Sequence, residues 1–288
     1  MSSAESAMVP ARVGVLGGGR MGAGIAHAFL IKGAEVVVVE RDEAAAAAAR
    51  ERVSASAAAS IERGVLQGPL EQVLDRLAVT LDRSAFADRE LVIEAVPEDW
   101  ELKVASLKDV ERHLGDGAVL ASNTSSLSVT GLSAELVHPE NFLGLHFFNP
   151  VPASTLIEVV VGAQTAPEWV AAARAWTAGL GKTAVVVNDA PGFASSRLGV
   201  AIALEAMRMV EEGVATAEDI DNAMVLGYKH PTGPLRTTDI VGLDVRLGIA
   251  EYLASTLGER FDPPQILRDK VAAGELGRKT GQGFFTWS

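Results

Sequence analysis

Between Arg12 and Asp189 the chain returns again and again to a short apolar run, and helical stretches separate most of these runs. RVGVL, EVVVVE, LVIEAV, AVLASN, FLGLHFF, LIEVVV and TAVVVND follow one another in that order. Runs that are apolar at almost every position suit strands covered on both faces, which is the situation in a parallel sheet. Helical patterning follows RVGVL through Lys32, then covers 42–63, a stretch after Pro69, 99–114 and 167–180. Strand and helix in alternation specify a doubly wound α/β sheet. The pattern stops at APGFASS. After Pro191 helical stretches follow one another (SRLGVAIALEAMRMVEEG, AEDIDNAMVLG, GLDVRLGIAEYLASTLG and PPQILRDKVAAGELG), and no strand is expected until the last few residues. Thr216 and Asp219 have the spacing of a helix-start capping box. The expected organisation is an α/β domain over 1–190, its first ten residues a loose tail, and an all-α domain over 191–288. A length of 288 residues suits two domains.

The first turn carries Gly17-x-Gly19-x-x-Gly22. The triplet alone says little. Here a strand precedes it, a helix follows it, and Glu40 closes the next strand, which is the context a dinucleotide-binding turn requires. Gly17 permits the tight turn, Gly19 lets a pyrophosphate approach the backbone, and Gly22 lets the helix pack close. The helix N-terminus supplies amide donors. Glu40 can accept both hydroxyls of an adenosine ribose and would repel a 2′-phosphate, so NAD is expected over NADP; Arg41 beside it pulls the other way. The other reading is a purely structural strand-to-helix turn.

Two polar residues interrupt later apolar runs. His146 sits in GLHFFNP and Glu158 in LIEVVV. A lone histidine on a strand is commonly a satisfied core residue. A carboxylate among Ile157, Val159 and Val160 needs a partner or a proton, and His146 is the natural partner. Such a pair is either a structural ion pair or a general base whose cation is stabilised. Beside an NAD site the second role suits oxidation of an alcohol.

Bulk properties exclude other classes. Net charge is −12, the wrong sign for a broad nucleic-acid or anionic-membrane surface. There are no cysteines, hence no disulfides or thiolate metal sites. No metal-ligand spacing of His or carboxylates stands out, so no metal is expected. No run approaches the roughly 18 apolar residues of a membrane span, and MSSAESAMVPA has no signal-peptide pattern. The expected location is the cytoplasm. His27 and His113 fall on predicted helices as ordinary surface or packing residues, and the HPTGPL segment reads as a tight interhelical turn.

ASNTSSL, GLHFFNPVP, PGF followed by an arginine, HPTGPLRTTDIVGLD and GRKTGQGFF, in that order from about Val13 to Trp287, resemble the short-chain L-3-hydroxyacyl-CoA dehydrogenases, the 3-hydroxybutyryl-CoA dehydrogenases in particular. The resemblance implies a Rossmann-type domain, a helical dimerisation domain, a homodimer, and NAD-linked oxidation of a 3-hydroxyacyl-CoA. It assigns His146 as base, Glu158 as its partner and Ser125 to the substrate oxygen. Asn123, Asn149, Glu98 and Lys103 match positions near the cofactor or catalytic groups. Ser56 and Arg63 fall near the helix that contacts CoA, seven residues apart and so on one helix face; a plain solvated face is the alternative.

One position departs from the family pattern. PGF is normally followed, two residues on, by Asn-Arg, and here Ser196 stands where the asparagine is expected. A hydroxyl also donates and accepts but reaches less far, so the hold on the thioester carbonyl, and the acyl group preferred, are in question. The resemblance leaves three rivals: a 3-hydroxyadipyl-CoA dehydrogenase, an L-gulonate dehydrogenase, or a crystallin-like protein that binds NAD without turnover.

Overall fold

The computed structural model describes residues 9–287; of the tail expected over residues 1–10, residues 1–8 lie outside it. The chain divides into two compact units, one ending at Asp189 and one starting at Ala190.

The first unit holds one eight-stranded sheet. Its strands are β1 (Arg12–Leu16), β2 (Glu35–Val39), β3 (Leu77–Thr80), β4 (Leu91–Glu94), β5 (Val119–Ser122), β6 (Phe142–Phe147), β7 (Leu156–Val161) and β8 (Thr183–Asn188). They lie in the order β3-β2-β1-β4-β5-β6-β7-β8. Six run parallel, while β7 and β8 run the other way. The reversal follows from chain length. Residues 148–155 between β6 and β7 are too few for a parallel crossover, so the strands pair antiparallel. Neither this reversal nor β3 is among the sequence expectations. LAVT is short and only partly buried at a sheet edge, which leaves little apolar signal.

Helices α1 (Arg20–Leu30), α2 (Glu43–Glu62), α3 (Leu70–Leu74), α4 (Trp100–Glu111), α5 (Val129–Ser133) and α6 (Pro167–Gly179) complete the unit. Asp42 and Asp99 cap α2 and α4 by accepting from the amides of Ala45 and Leu102 at 2.7 and 2.8 Å. Val13, Val15, Val36, Val38, Leu91 and Ile93 form the centre of the core. Leu143 and Phe147 extend it into β6.

The second unit is helical: α7 (Ser195–Glu211), α8 (Ala217–Asn222), α9 (Pro234–Val241), α10 (Leu243–Leu257) and α11 (Gln265–Ala272). Thr216 caps α8 through the Asp219 amide at 3.1 Å, and its hydroxyl donates to the Asp219 carboxylate at 2.7 Å. The segment read as an interhelical turn leads into α9 at its last two residues. Pro234 occupies its first turn, where a missing N–H costs nothing. No helix among the described residues is long and apolar enough to cross a membrane.

Asp239 on α9, 1 % exposed, holds the end of the chain. Its carboxylate accepts from the amides of Phe284 and Phe285, both at 2.9 Å, and from the Trp287 indole at 2.8 Å. A Cβ on Gly283 would lie 2.3 Å from Asp239 Oδ1, which explains a glycine before the two phenylalanines. Asp239→Ala leaves three donors without their acceptor and is expected to destabilise the second unit by at least about 2 kcal/mol. A urea melt followed by tryptophan fluorescence checks this; an unchanged midpoint would contradict it.

Candidate active site

The site lies at the C-terminal ends of the parallel strands, where ligands bind in open α/β sheets. At the end of β1, Gly17 has φ +88° and its amide donates to Val39 O at 2.9 Å. A Cβ on Gly22 would fall 1.7 Å from Gly17 O, so no other residue fits there. A Cβ on Gly19 would meet nothing within 4 Å, so the start of α1 opens onto free space. Glu40, after β2, accepts from the Gly18 amide at 2.6 Å and from the Arg41 amide at 3.1 Å. The Arg41 guanidinium turns to Asp42 at 2.9 Å. A cleft of about 570 Å³ is lined here by Gly17, Gly19, Glu40, Val96 and Leu102. The glycine turn, the exposed helix start and the acidic residue fit the phosphates and adenosine ribose of a dinucleotide.

A second cleft of about 350 Å³ shares Met21, Ala95 and Val96 with the first. Asn123, Ser125, His146, Phe148, Asn149 and Glu98 line it. His146 and Glu158 face each other across the antiparallel β6–β7 pair, and His146 Nδ1 donates to Glu158 Oε2 at 2.8 Å. They are 7 % and 1 % exposed. The Phe148 ring packs on the imidazole with centroids 4.4 Å apart. Fixing Nδ1 on the carboxylate turns the other ring nitrogen away from Glu158. Asn123 accepts the Phe147 amide at 2.8 Å, tying the loop after β5 to the strand that carries His146.

Glu98 organises that loop. Its Oε1 accepts from the Thr124 hydroxyl at 2.6 Å, the Ser125 amide at 2.8 Å, the Ser126 amide and hydroxyl at 3.0 Å each, and the Ser125 hydroxyl at 3.2 Å. Burial would raise its pKa, but the Lys103 charge and these hydrogen bonds outweigh burial and hold the carboxyl below the ordinary glutamate range. Lys103, expected beside the cofactor, lies beneath the cleft. It is 1 % exposed, with its ammonium on Glu94 Oε1 at 2.7 Å, Val96 O at 3.2 Å and Glu98 Oε2 at 3.4 Å. It reaches the cleft only through Glu98. Glu94 was not singled out from the sequence. It is fully buried, and its second oxygen accepts from the Ser122 hydroxyl at 2.6 Å.

Ser56 and Arg63 share a face near the end of α2, and Arg63 Nε donates to Ala59 O at 3.0 Å. Neither lines the two clefts. His27 on α1 is a buried residue and not a surface one: Nε2 lies 2.9 Å from Ser60 Oγ, whose hydroxyl donates to Ser56 O at 3.0 Å. Burial, with Arg63 and Lys182 nearby, lowers its pKa to about 4, so it is neutral at pH 7. Ser196 lies in the second unit, in the first turn of α7. Among the described residues no group of three or more histidines or carboxylates could hold a metal.

A carboxyl held below its ordinary pKa by native contacts stabilises the fold fully above the unfolded value. That contribution fades as pH falls through the lower, folded value. Wild-type stability should therefore drop on acidification below about pH 4.5, the reference value for glutamate, more steeply than that of Glu98→Gln. Thermal melts between pH 6 and 3 test this; parallel curves would contradict it.

The model of the 3-hydroxyacyl-CoA dehydrogenase NAD-binding domain matches residues 12–190, and that of the C-terminal domain of the same enzymes matches 192–287. A 3-hydroxybutyryl-CoA dehydrogenase of Mycobacterium tuberculosis is 43 % identical over 282 residues, covering 96 % of this chain and 98 % of that protein. A 3-hydroxyadipyl-CoA dehydrogenase of Escherichia coli is 37 % identical over 96 % of this chain and 58 % of its own length. The crystal structure of (S)-3-hydroxybutyryl-CoA dehydrogenase from Ralstonia eutropha superposes with a TM-score of 0.93 at 37 % identity, covering 97 % of this chain and 99 % of that one. With both halves matched and the likeness running nearly end to end, this chain belongs to the 3-hydroxyacyl-CoA dehydrogenase family.

Proposed function

We propose that the protein interconverts a short-chain (3S)-3-hydroxyacyl-CoA, such as 3-hydroxybutyryl-CoA, and its 3-ketoacyl-CoA with NAD as the redox partner. The observation that carries this reading is the buried His146–Glu158 pair at 2.8 Å, in a cleft contiguous with the glycine-turn cleft. NAD held along the glycine turn would supply the hydride acceptor for C3. The ring nitrogen of His146 that faces away from Glu158 takes the hydroxyl proton, and Glu158 stabilises the resulting imidazolium. In reduction the same nitrogen returns the proton. Ser125 hydrogen-bonds the reacting oxygen, with its loop held by Glu98. Asn123 and Asn149 border the reacting centre, and Glu98 and, behind it, Lys103 support the nicotinamide side. Gly17, Gly19 and Gly22 receive the pyrophosphate, and Glu40 the adenosine ribose. Ser56 and Arg63 serve the CoA moiety, and the Ser196 hydroxyl the thioester carbonyl.

A buried carboxylate on a histidine that lines the cleft favours turnover over a protein that binds NAD without it. A carboxylate-ended substrate, 3-hydroxyadipyl-CoA, is the second reading, favoured by the relative that bears that name. The proposed setting is the cytoplasm. The proposed assembly is a homodimer through the second unit, supported by a groove of about 480 Å³ that includes Ile202, Met209, Met224 and Tyr228 and by exposed Leu198 and Leu226 nearby.

Purified enzyme should reduce acetoacetyl-CoA with NADH and far less well with NADPH. His146→Ala should lose roughly 10²–10⁴-fold in kcat, with NADH affinity near normal by fluorescence titration. Near-normal turnover in that variant would refute the assignment of the base. Comparable kcat/KM for NADPH would refute the role of Glu40.

A further inference from the structure

The loop that carries Ser125 runs from the end of β5 at Ser122 to the start of α5 at Val129. Glu94 and Glu98 hold its near part, the first through the Ser122 hydroxyl and the second through the Ser125 and Ser126 amides. Its far end is held by another carboxylate, that of Asp189, the last residue of the first unit. Asp189 directly follows β8, and its amide donates to Val161 O at 2.8 Å, so its backbone continues the β7–β8 pairing. From that fixed point the side chain reaches α5. Oδ2 accepts the Ser128 hydroxyl at 2.7 Å and the Thr130 amide at 2.8 Å.

The helix needs such an anchor. At five residues α5 is too short to be stable alone. Ser128 caps it by accepting the Gly131 amide at 2.9 Å, so the hydroxyl proton requires an acceptor of its own, and Asp189 supplies it. The Thr130 amide is one of the first-turn donors that no carbonyl of the helix can reach, and it takes the same oxygen. Hydrogen bonds to a charged acceptor are the stronger kind. The carboxylate comes from 59 residues along the chain, so the register of β8 sets where the loop ends. Only Ser126 and Leu127 separate Ser125 from the capping Ser128, and the Leu127 amide donates back to the Thr124 hydroxyl at 2.9 Å. A displacement of Ser128 is therefore passed to Ser125 through two residues that are themselves hydrogen-bonded.

We propose that Asp189 is a positioning residue for the reaction: by fixing the far end of this loop it sets where the Ser125 hydroxyl stands. It acts through Ser128 and Ser125 and not on the reacting atoms. The inference rests on the reading that Ser125 meets the reacting oxygen. Misplacing a reacting partner by about 1 Å can cost on the order of 10²-fold in rate, so a group remote from the chemistry can carry an effect of that size.

The test is a double-mutant cycle with acetoacetyl-CoA and NADH. Asp189→Ala should lower kcat roughly 10- to 100-fold, with NADH affinity unchanged by fluorescence titration. Asp189→Asn, whose amide oxygen still accepts a hydrogen bond, should retain part of the lost rate. In a Ser125→Ala background Asp189→Ala should cost less than about 2-fold, because a residue that acts through Ser125 has nothing left to position. An unchanged kcat in Asp189→Ala overturns the inference, as does a loss of equal size in both backgrounds, which would leave Asp189 a role in the fold alone. If Asp189→Ala does not fold, Ser128→Ala, which removes one of the two bonds to the carboxylate, is measured in the same two backgrounds and read in the same way. Should wild type fail to reduce acetoacetyl-CoA, the proposed function fails while amide hydrogen exchange still decides this inference. Asp189→Ala should then speed exchange of the Ser125 and Ser126 amides and leave the amides of β1 as they are. No change at the two serines, or an equal rise in β1, overturns it.

Discussion

The antiparallel pairing of β6 and β7 is the constraint on which the candidate site depends. In a sheet, residues directly opposite on neighbouring strands share a face and lie within side-chain reach. Reversing the chain after β6 places Glu158 opposite His146, so a carboxylate is delivered to the imidazole by backbone register alone. A slip of one residue would turn Glu158 to the other face of the sheet. Ile157 and Val159, both buried, oppose such a slip because they would have to change faces with it. The packing of β7 therefore maintains the electrostatics of the histidine.

A second device works from below. Glu94, Lys103 and Glu98 form a chain of alternating charge from the end of β4 to the cleft. Buried ion pairs add little net stability but are costly to break from one side. Their effect here is geometric. Glu94 also accepts the Ser122 hydroxyl, which in turn accepts the Thr124 amide at 3.2 Å, and Glu98 gathers Thr124, Ser125 and Ser126. The loop carrying Ser125 is thus anchored by two carboxylates, and its position follows from the sheet beneath it.

Much of this was legible in the sequence because the signals were strong and local. Buried strands read as apolar runs, and Gly17, Gly19 and Gly22 followed from the only backbone that a tight strand-to-helix turn allows. Glu158 stood out as a carboxylate among aliphatic residues. Glu94 carries the same signal in LVIEAV, and the same rule, that a buried acid needs a partner, is met by Lys103. Strand direction was not legible, since an apolar run looks alike either way and only the short 148–155 connection carries the information. Strand β3 was hidden by its length and its place at a sheet edge, and α9 by Pro234, which suggests a turn but sits at the helix start. The motif puts Lys103 near the cofactor, but its burial depends on Glu94, a contact that no local pattern encodes.

If Glu158 acts through His146, their contributions to catalysis cannot be independent. The decisive measurement is a double-mutant cycle on the single-turnover rate of hydride transfer, using His146→Ala, Glu158→Gln and the pair together. The account predicts that the double variant is no slower than His146→Ala alone, because the carboxylate has no role once the imidazole is gone. Losses that multiply would contradict it and would give Glu158 a role separate from the histidine it faces.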